Sequence, residues 1–220
     1  ELNQYKPVPQ DPPLTNDLKR MLIHGYYAAL SYMDAQVGRV LDELDRLELS
    51  EETIIVLWGD HGYHLGDHGS WTKHTNYEEA NRIPIVFVAP GVTTPGTHTD
   101  ALVETVDIYP TLVELADLPA VSGPQPMDGL SLVPILRDPS QSIRDHAYHC
   151  FPKGGRLGRA IRTDRYRLVE WKPQRGNARR VEYELYDYKT DPQETRNLAG
   201  ERPEVVEELA AILGRHPEPK

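Results

Sequence analysis

The residues Thr53-Ile54-Ile55-Val56-Leu57-Trp58 form an unbroken apolar, β-branched run that stops at Gly59-Asp60. A short continuous run of this kind, bounded by a turn signal, predicts a strand buried on both faces, as in a parallel sheet covered by helices. Ile83 to Val88 repeats the pattern and stops at Pro90-Gly91. Ahead of the first run, Met33, Val37, Val40, Leu41, Leu44 and Leu47 recur at three- and four-residue steps, while Asp34, Asp42, Glu43, Asp45 and Arg46 take the other face. That period predicts an amphipathic helix over residues 17–47. Helix and strand alternate, which is the pattern of an α/β domain.

A further helix is expected from Thr105 to Leu118, with Pro110 either in its first turn or breaking it. Beyond Pro139 the texture changes. Arg159–Thr163, Tyr166–Trp171 and Val181–Tyr186 read as strands of a small antiparallel sheet. Pro203 to Leu213 reads as a closing helix with Gly214 just past its end. A boundary near residue 140 therefore separates an α/β region, 1–140, from a small antiparallel-sheet subdomain, 141–220. The start, with Tyr5-Lys6-Pro7-Val8-Pro9 and Pro12-Pro13, reads as an extended connector, and the chain as a piece of something longer.

Composition excludes several classes. No apolar run approaches the roughly 20 residues of a membrane span. With 34 acidic against 24 basic residues, the chain lacks the basic footprint of a nucleic-acid binder. A single cysteine, Cys150, excludes an internal disulfide framework and a thiolate zinc cluster.

The chemistry is concentrated between Trp58 and His74, which holds His61, His64, His68, His74, Asp60, Asp67 and Lys73 among glycines, directly after the first strand. Ligands of open α/β sheets bind beyond the carboxyl ends of strands, so Asp60 and His61 stand at the edge of a site. Two metal readings are open. The four histidines suit zinc, although their spacing matches no helical pair. Alternatively Asp60 offers an oxygen ligand to a hard cation, with His61 beside it and further carboxylates from elsewhere. Lys73 adds an amine able to neutralise an anionic group. A Lewis-acidic metal and a cation on the non-bridging oxygens are what transfer of a charged tetrahedral group requires. Hydrolysis of a phosphate or sulfate ester follows, without a choice between the two.

Taken in order, Gly25 to Val40, Thr53-Ile54-Ile55-Val56, Asp60-His61-Gly62, Leu65-Gly66-Asp67-His68-Gly69, Trp71, Lys73 and Arg82-Ile83-Pro84 resemble the second half of a type I sulfatase, in the iduronate-2-sulfatase branch and its bacterial relatives. Met127-Asp128-Gly129-Leu130-Ser131-Leu132, Arg159–Tyr166, and Leu185-Tyr186-Asp187 with Asp191-Pro192, Glu194, Asn197 and Leu198 are similar to later stretches of the family. The resemblance implies an alkaline-phosphatase-like α/β fold, in which residues 1–140 are the second half of the catalytic domain. It also implies a calcium ion and a cysteine oxidised to formylglycine. Asp60 and His61 match metal ligands, Lys73 the sulfate-binding lysine, and His64, Trp71 and His74 the loop lining the substrate pocket. Periplasmic or secreted location is a further implication.

The family's nucleophile motif and first aspartate pair are missing. Cys150-Phe151-Pro152 imitates the motif, but Lys153 replaces the small hydroxyl residue and the cysteine lies on the wrong side of Asp60-His61. The formylglycine, the remaining calcium ligands and the N-terminal half are therefore expected upstream. The expected substrate is a sulfated carbohydrate, with a 2-O-sulfated uronic acid as the finer expectation, and the fragment alone is expected to be inactive. A phosphate or phosphonate ester hydrolase of the same superfamily and a non-catalytic metal-binding domain are the alternatives. The basic stretch from Lys153 to Arg180 reads either as a surface for a sulfated polysaccharide or as the solvated side of a sheet.

Overall fold

The computed structural model describes residues 14–119, 123–174 and 181–217; the expected N-terminal connector and Arg175, Arg179 and Arg180 lie outside them. The described residues divide into two compact units. One runs up to Lys73 and takes in Arg82–Pro90; the other comprises His74–Asn81 and the residues from Gly91 onward.

The first unit opens with α1 (Asn16–Arg46), whose start is capped by Thr15, its hydroxyl accepting the Leu18 N–H at 3.3 Å. None of its residues is buried, and Met33, Val40 and Leu41 on the predicted stripe stay exposed. Strand β1 (Ile55–Trp58) leads to a hairpin of β2 (His64–Leu65) and β3 (Trp71–Thr72), and β4 (Ile85–Val88) returns against β1. The β1–β4 pair is antiparallel, with Ile55 opposite Val88 and Trp58 opposite Ile85, which corrects the parallel expectation. An apolar run reports an affinity for burial and carries no information about strand direction. Leu57, Trp58, Val86 and Val88 are also exposed, so these two strands are not covered on both faces among the described residues.

The second unit carries α2 (Glu78–Asn81), α3 (Ile108–Leu115) and α4 (Val133–Arg137). Pro110 sits in the first turn of α3, where no intrahelical N–H is needed. Four strands follow, β5 (Ala147–Lys153), β6 (Arg156–Arg162), β7 (Tyr166–Pro173) and β8 (Glu182–Asp187), in the order β5-β6-β7-β8 and antiparallel throughout. The closing helix α5 (Pro203–Leu213) matches its predicted span. One sheet face packs on it: Leu168 and Leu185 meet Leu209, ringed by Tyr166, Leu198, Val205 and Val206. Each such buried leucine contributes about 1.5–3 kcal/mol. Strand β5 was not among the strands read from the sequence, and it contains Pro152. As the edge strand it pairs only with β6, and an edge tolerates a residue that cannot donate to a ladder.

The opposite sheet face mixes buried Ala160, Val169 and Tyr186 with arginines that find partners there. Arg162 and Arg167 pair with Glu78, and Arg167 also with Glu194. Elsewhere on the sheet Arg156 pairs with Glu182, Arg159 with Glu170 and Arg165 with Asp187. Arg159, Arg167 and Glu170 are buried. Arg159, Arg162 and Arg167 serve as internal ties. Arg159 and Arg167 are thereby withdrawn from solvent, while the side chains of Arg156 and Arg165 stay 35% and 44% exposed.

Candidate functional site

The loop after β1 begins with an Asp60 carboxylate that accepts the His61 N–H at 3.0 Å. Asp60 is otherwise open, its side chain 84% exposed. The His61 ring is oriented from its other side: Nδ1–H donates to the Gly62 carbonyl at 2.8 Å, leaving the Nε2 lone pair as an acceptor. Two groups converge on that lone pair. The Lys73 ammonium donates to Nε2 at 2.6 Å, and Asp60 Oδ2 lies 3.4 Å away. Asp60, His61 and Lys73, singled out from sequence, are thus brought together at one point.

The hairpin explains how Lys73 gets there. Gly66 adopts φ +111°, which suits a residue without Cβ, and a Cβ there would meet the Trp71 indole at 3.3 Å. His64, fully buried on β2, bonds through Nδ1–H to the Asp67 carboxylate, which also accepts the Leu65 N–H at 3.0 Å. Burial opposes ionisation of Asp67, yet the bonds from His64 and Leu65 outweigh it and hold the carboxyl below its usual range. Thr72 then takes φ +74°, an outlier for a β-branched residue that costs about 1–3 kcal/mol. Such strain persists only where the surroundings impose it, and here it immediately precedes Lys73. Tyr63, within the same loop, packs against Tyr26 of α1 with ring centroids 5.0 Å apart.

His64 and Trp71 are therefore parts of the hairpin's frame, His64 with no surface open to solvent. His74 belongs to the second unit, where it stacks on Phe151 of β5 at 5.7 Å. Cys150 is exposed on that same edge strand. Sequence reasoning passed over Asp67 as a ring-orienting carboxylate, although its spacing to His64 within a turn was the available signal. It also left Arg167 without a role, because nothing in the sequence links that residue to Glu78.

The donor set suits a hard divalent cation. Asp60 offers an exposed carboxylate and His61 its Nε2, with the two donor atoms close enough to share one ion. Two ligands are short of calcium's usual six to eight, so the described loop supplies part of a shell. Lys73 beside them provides a positive charge for an anion held at the same point.

Two family models match the chain: "Sulfatase" over residues 4–118 and "N-sulphoglucosamine sulphohydrolase, C-terminal" over residues 66–216. Iduronate 2-sulfatase of Mus musculus is 39% identical over 131 residues, covering 49% of this chain and 24% of its own length. A solved structure described as in complex with its substrate D-glucosamine-2-N,6-O-disulfate superposes with TM-score 0.76 at 29% identity, covering 86% of this chain and 39% of that one. A phosphonate monoester hydrolase from Silicibacter pomeroyi superposes with TM-score 0.80 at 26% identity, covering 94% and 42% respectively. The chain thus spans well under half the length of each of these relatives. The α/β fold class, with its small antiparallel sheet and closing helix, agrees with these neighbours.

Proposed function

The chain belongs to the sulfatase family, and from that premise we propose that it acts as the C-terminal part of a sulfuric ester hydrolase. The observation that supports this reading is the convergence of Lys73, His61 and Asp60 on one point. In this reading Asp60 and His61 hold a calcium ion completed by ligands outside the chain. When bound, the ion supplies a Lewis acid for the ester's oxygens. Lys73 donates hydrogen bonds to a non-bridging sulfate oxygen and offsets its charge in the transition state. The bond between His61 Nδ1 and the Gly62 carbonyl turns Nε2 toward Lys73 and Asp60. The nucleophile, formylglycine in the family pattern, belongs to the portion upstream. Trp71 and His74 are proposed to line the approach to the ester, and His64 to support that lining through the hairpin.

The substrate proposed is a sulfated sugar, and at finer grain a 2-O-sulfated uronic acid residue. The names of the mouse relative and of the disulfated glucosamine complex support the first and favour different forms of the second. The test is hydrolysis by the complete protein of a 2-O-sulfated uronate disaccharide, an N,6-O-disulfated glucosamine and a phosphonate monoester, with and without chelator. Chelator-sensitive sulfate release is expected, with the uronate best. Phosphonate turnover without sulfate release would move the chain to the phosphonate branch, which the Silicibacter pomeroyi superposition keeps in view. Metal binding with no turnover of any ester would make it a binding domain.

A further inference from the structure

Within the second unit, the turn that ends α5 is joined to the start of β5 by two histidines. In that turn the N–H groups of Gly214, Arg215 and His216 donate to the carbonyls of Ala210, Ile212 and Leu213 at 2.9, 3.0 and 3.1 Å. The His216 ring reaches His146, and the two Nε2 atoms stand 2.7 Å apart. The ring centroids are 5.0 Å apart, longer than the nitrogen separation by about one ring radius at each end, so the two nitrogens point at each other along one line. Such a line has room for a proton, whereas a zinc ion at about 2.0–2.1 Å from each nitrogen would push opposed rings apart by more than about 1 Å. On its far side His146 Nδ1 lies 2.5 Å from the Asp145 carboxylate, and His216 lies flat on Tyr148 of β5, centroids 4.3 Å apart. Residues 144–148 are themselves fastened: Arg144 pairs with Glu104 at 2.7 Å and Asp107 at 2.5 Å, and the Tyr148 N–H donates to Glu104 at 2.6 Å.

A carboxylate only accepts, so His146 Nδ1 carries a proton. His146 Nε2 then either accepts from a His216 Nε2–H or, when His146 is an imidazolium, donates to the His216 lone pair. The bond therefore survives one added proton and fails at the second, when two N–H groups and two positive charges meet. Only the Tyr148 stack is then left to hold the His216 ring. We propose that His146 and His216 form an acid-released clasp, fastening the end of α5 to the start of β5 near neutral pH and letting it go on acidification. The surroundings of His216 agree with this. Burial first, and then the charge of His146, hold it below its ordinary 6.5, with Glu104 opposing and Arg159 and Arg144 adding to the effect. Arg215, on the same turn, acts on Asp145. The clasped ring thus refuses a proton that the released ring accepts, so the clasp is at full strength above pH 6.5 and weakens below it. The release is local, because Leu209 keeps α5 packed on Leu168 and Leu185.

The experiment measures amide hydrogen exchange in the complete protein at pH 7.5 and pH 5, corrected for its intrinsic pH dependence, at residues 214–216 and in β7. In the wild type, exchange at 214–216 should rise about tenfold on acidification, well beyond any rise in β7. H146Q places a carboxamide oxygen opposite His216 that accepts its N–H in either charge state, so the rise should disappear. H216Q, which also leaves a single titrating ring, should behave in the same way and serves if H146Q does not fold. H216F keeps an aromatic ring on Tyr148 without the bond, and its exchange at 214–216 should be fast at both pH values. H149L removes another buried imidazole of β5 and should respond as the wild type does. Nitrogen-15 shifts of the two rings at pH 7.5 should show one protonated and one unprotonated Nε2. A wild type without the rise, or H146Q and H216Q opening as the wild type does, would overturn the proposal. So would an equal rise in β7, or loss of the response in H149L, since either would assign the acid effect to general unfolding.

Discussion

Lys73 and His61, twelve residues apart, are joined by a hydrogen bond of 2.6 Å from the ammonium to the imidazole Nε2. The lone pair that would ligate a cation is thus the one the ammonium occupies, and the two compete for it.

Replacing Lys73 therefore has opposite effects on metal and on turnover. In K73M of the complete protein, kcat should fall about 100- to 1000-fold, the usual cost of one positioned donor to a developing charge. The calcium concentration for half-maximal residual activity should fall as well, because a competitor and a positive charge have left His61. Calcium titration after chelation measures both. A K73M protein needing more calcium than wild type would refute the competition.

Acid should weaken the second unit through His149. Burial first, and then the positive charge of Arg167, push this imidazole down to about 3 from its ordinary 6.5. The folded state thus refuses a proton that the unfolded chain accepts. Stability is fully present above about pH 6.5 and declines as pH falls from there toward 3, by up to about 1.4 kcal/mol per unit. Glu78, held low despite its burial by Arg167 and Arg162, adds to the loss only at more acidic pH. Urea unfolding of wild type and H149L from pH 8 to 5 should show the gap shifting in favour of H149L on acidification. Parallel curves would exclude His149 as a source of acid sensitivity.

Gly158 is fixed by close approach. A Cβ there would lie 2.3 Å from Asn76 Nδ2 and 2.8 Å from the Trp171 ring. G158A should destabilise by about 1–3 kcal/mol, the range for overpacking a filled interior. Because Asn76 belongs to the segment beyond Lys73, Glu78 amide exchange should rise with it. Unchanged thermal unfolding would show that Asn76 moves aside freely.

The Arg159–Glu170 pair predicts a non-additive cycle. Arg159 Nε and Nη2 both donate to Glu170 Oε1, at 3.1 and 2.7 Å, in a nearly dry setting. E170Q should cost about 3–5 kcal/mol by removing the carboxylate charge that faces the buried guanidinium. The R159M/E170M double variant should cost much less. Additive losses in denaturant titrations would argue that the two residues act separately.

Period and punctuation in the sequence disclosed α1, α5 and three strands of the C-terminal sheet, since those elements carry their own caps and alternation. The convergence of Asp60, His61 and Lys73 was visible as density of chemistry after a strand. Strand direction was not visible, because Ile55–Trp58 would read the same in either orientation. Nor were the ties of Arg159, Arg162 and Arg167, because a basic residue on a strand looks solvated until its carboxylate arrives from a distant segment. Glu78 shows the limit most clearly: it is an ordinary acidic residue until the fold brings it to Arg167.

Glu78 and Glu194 are 116 residues apart, which gives this tie a timetable as well as a geometry. At about 5–20 residues per second a ribosome needs roughly 6–23 s to travel from one to the other. Throughout that interval the stretch after Lys73 has no Arg167 or no Glu194 to receive it. The bond that holds the Glu78 amide thus closes only after Glu194 has been made. Premature termination anywhere before residue 194 would yield a chain in which Asn76 and Glu78 lack at least one of the side chains that hold them.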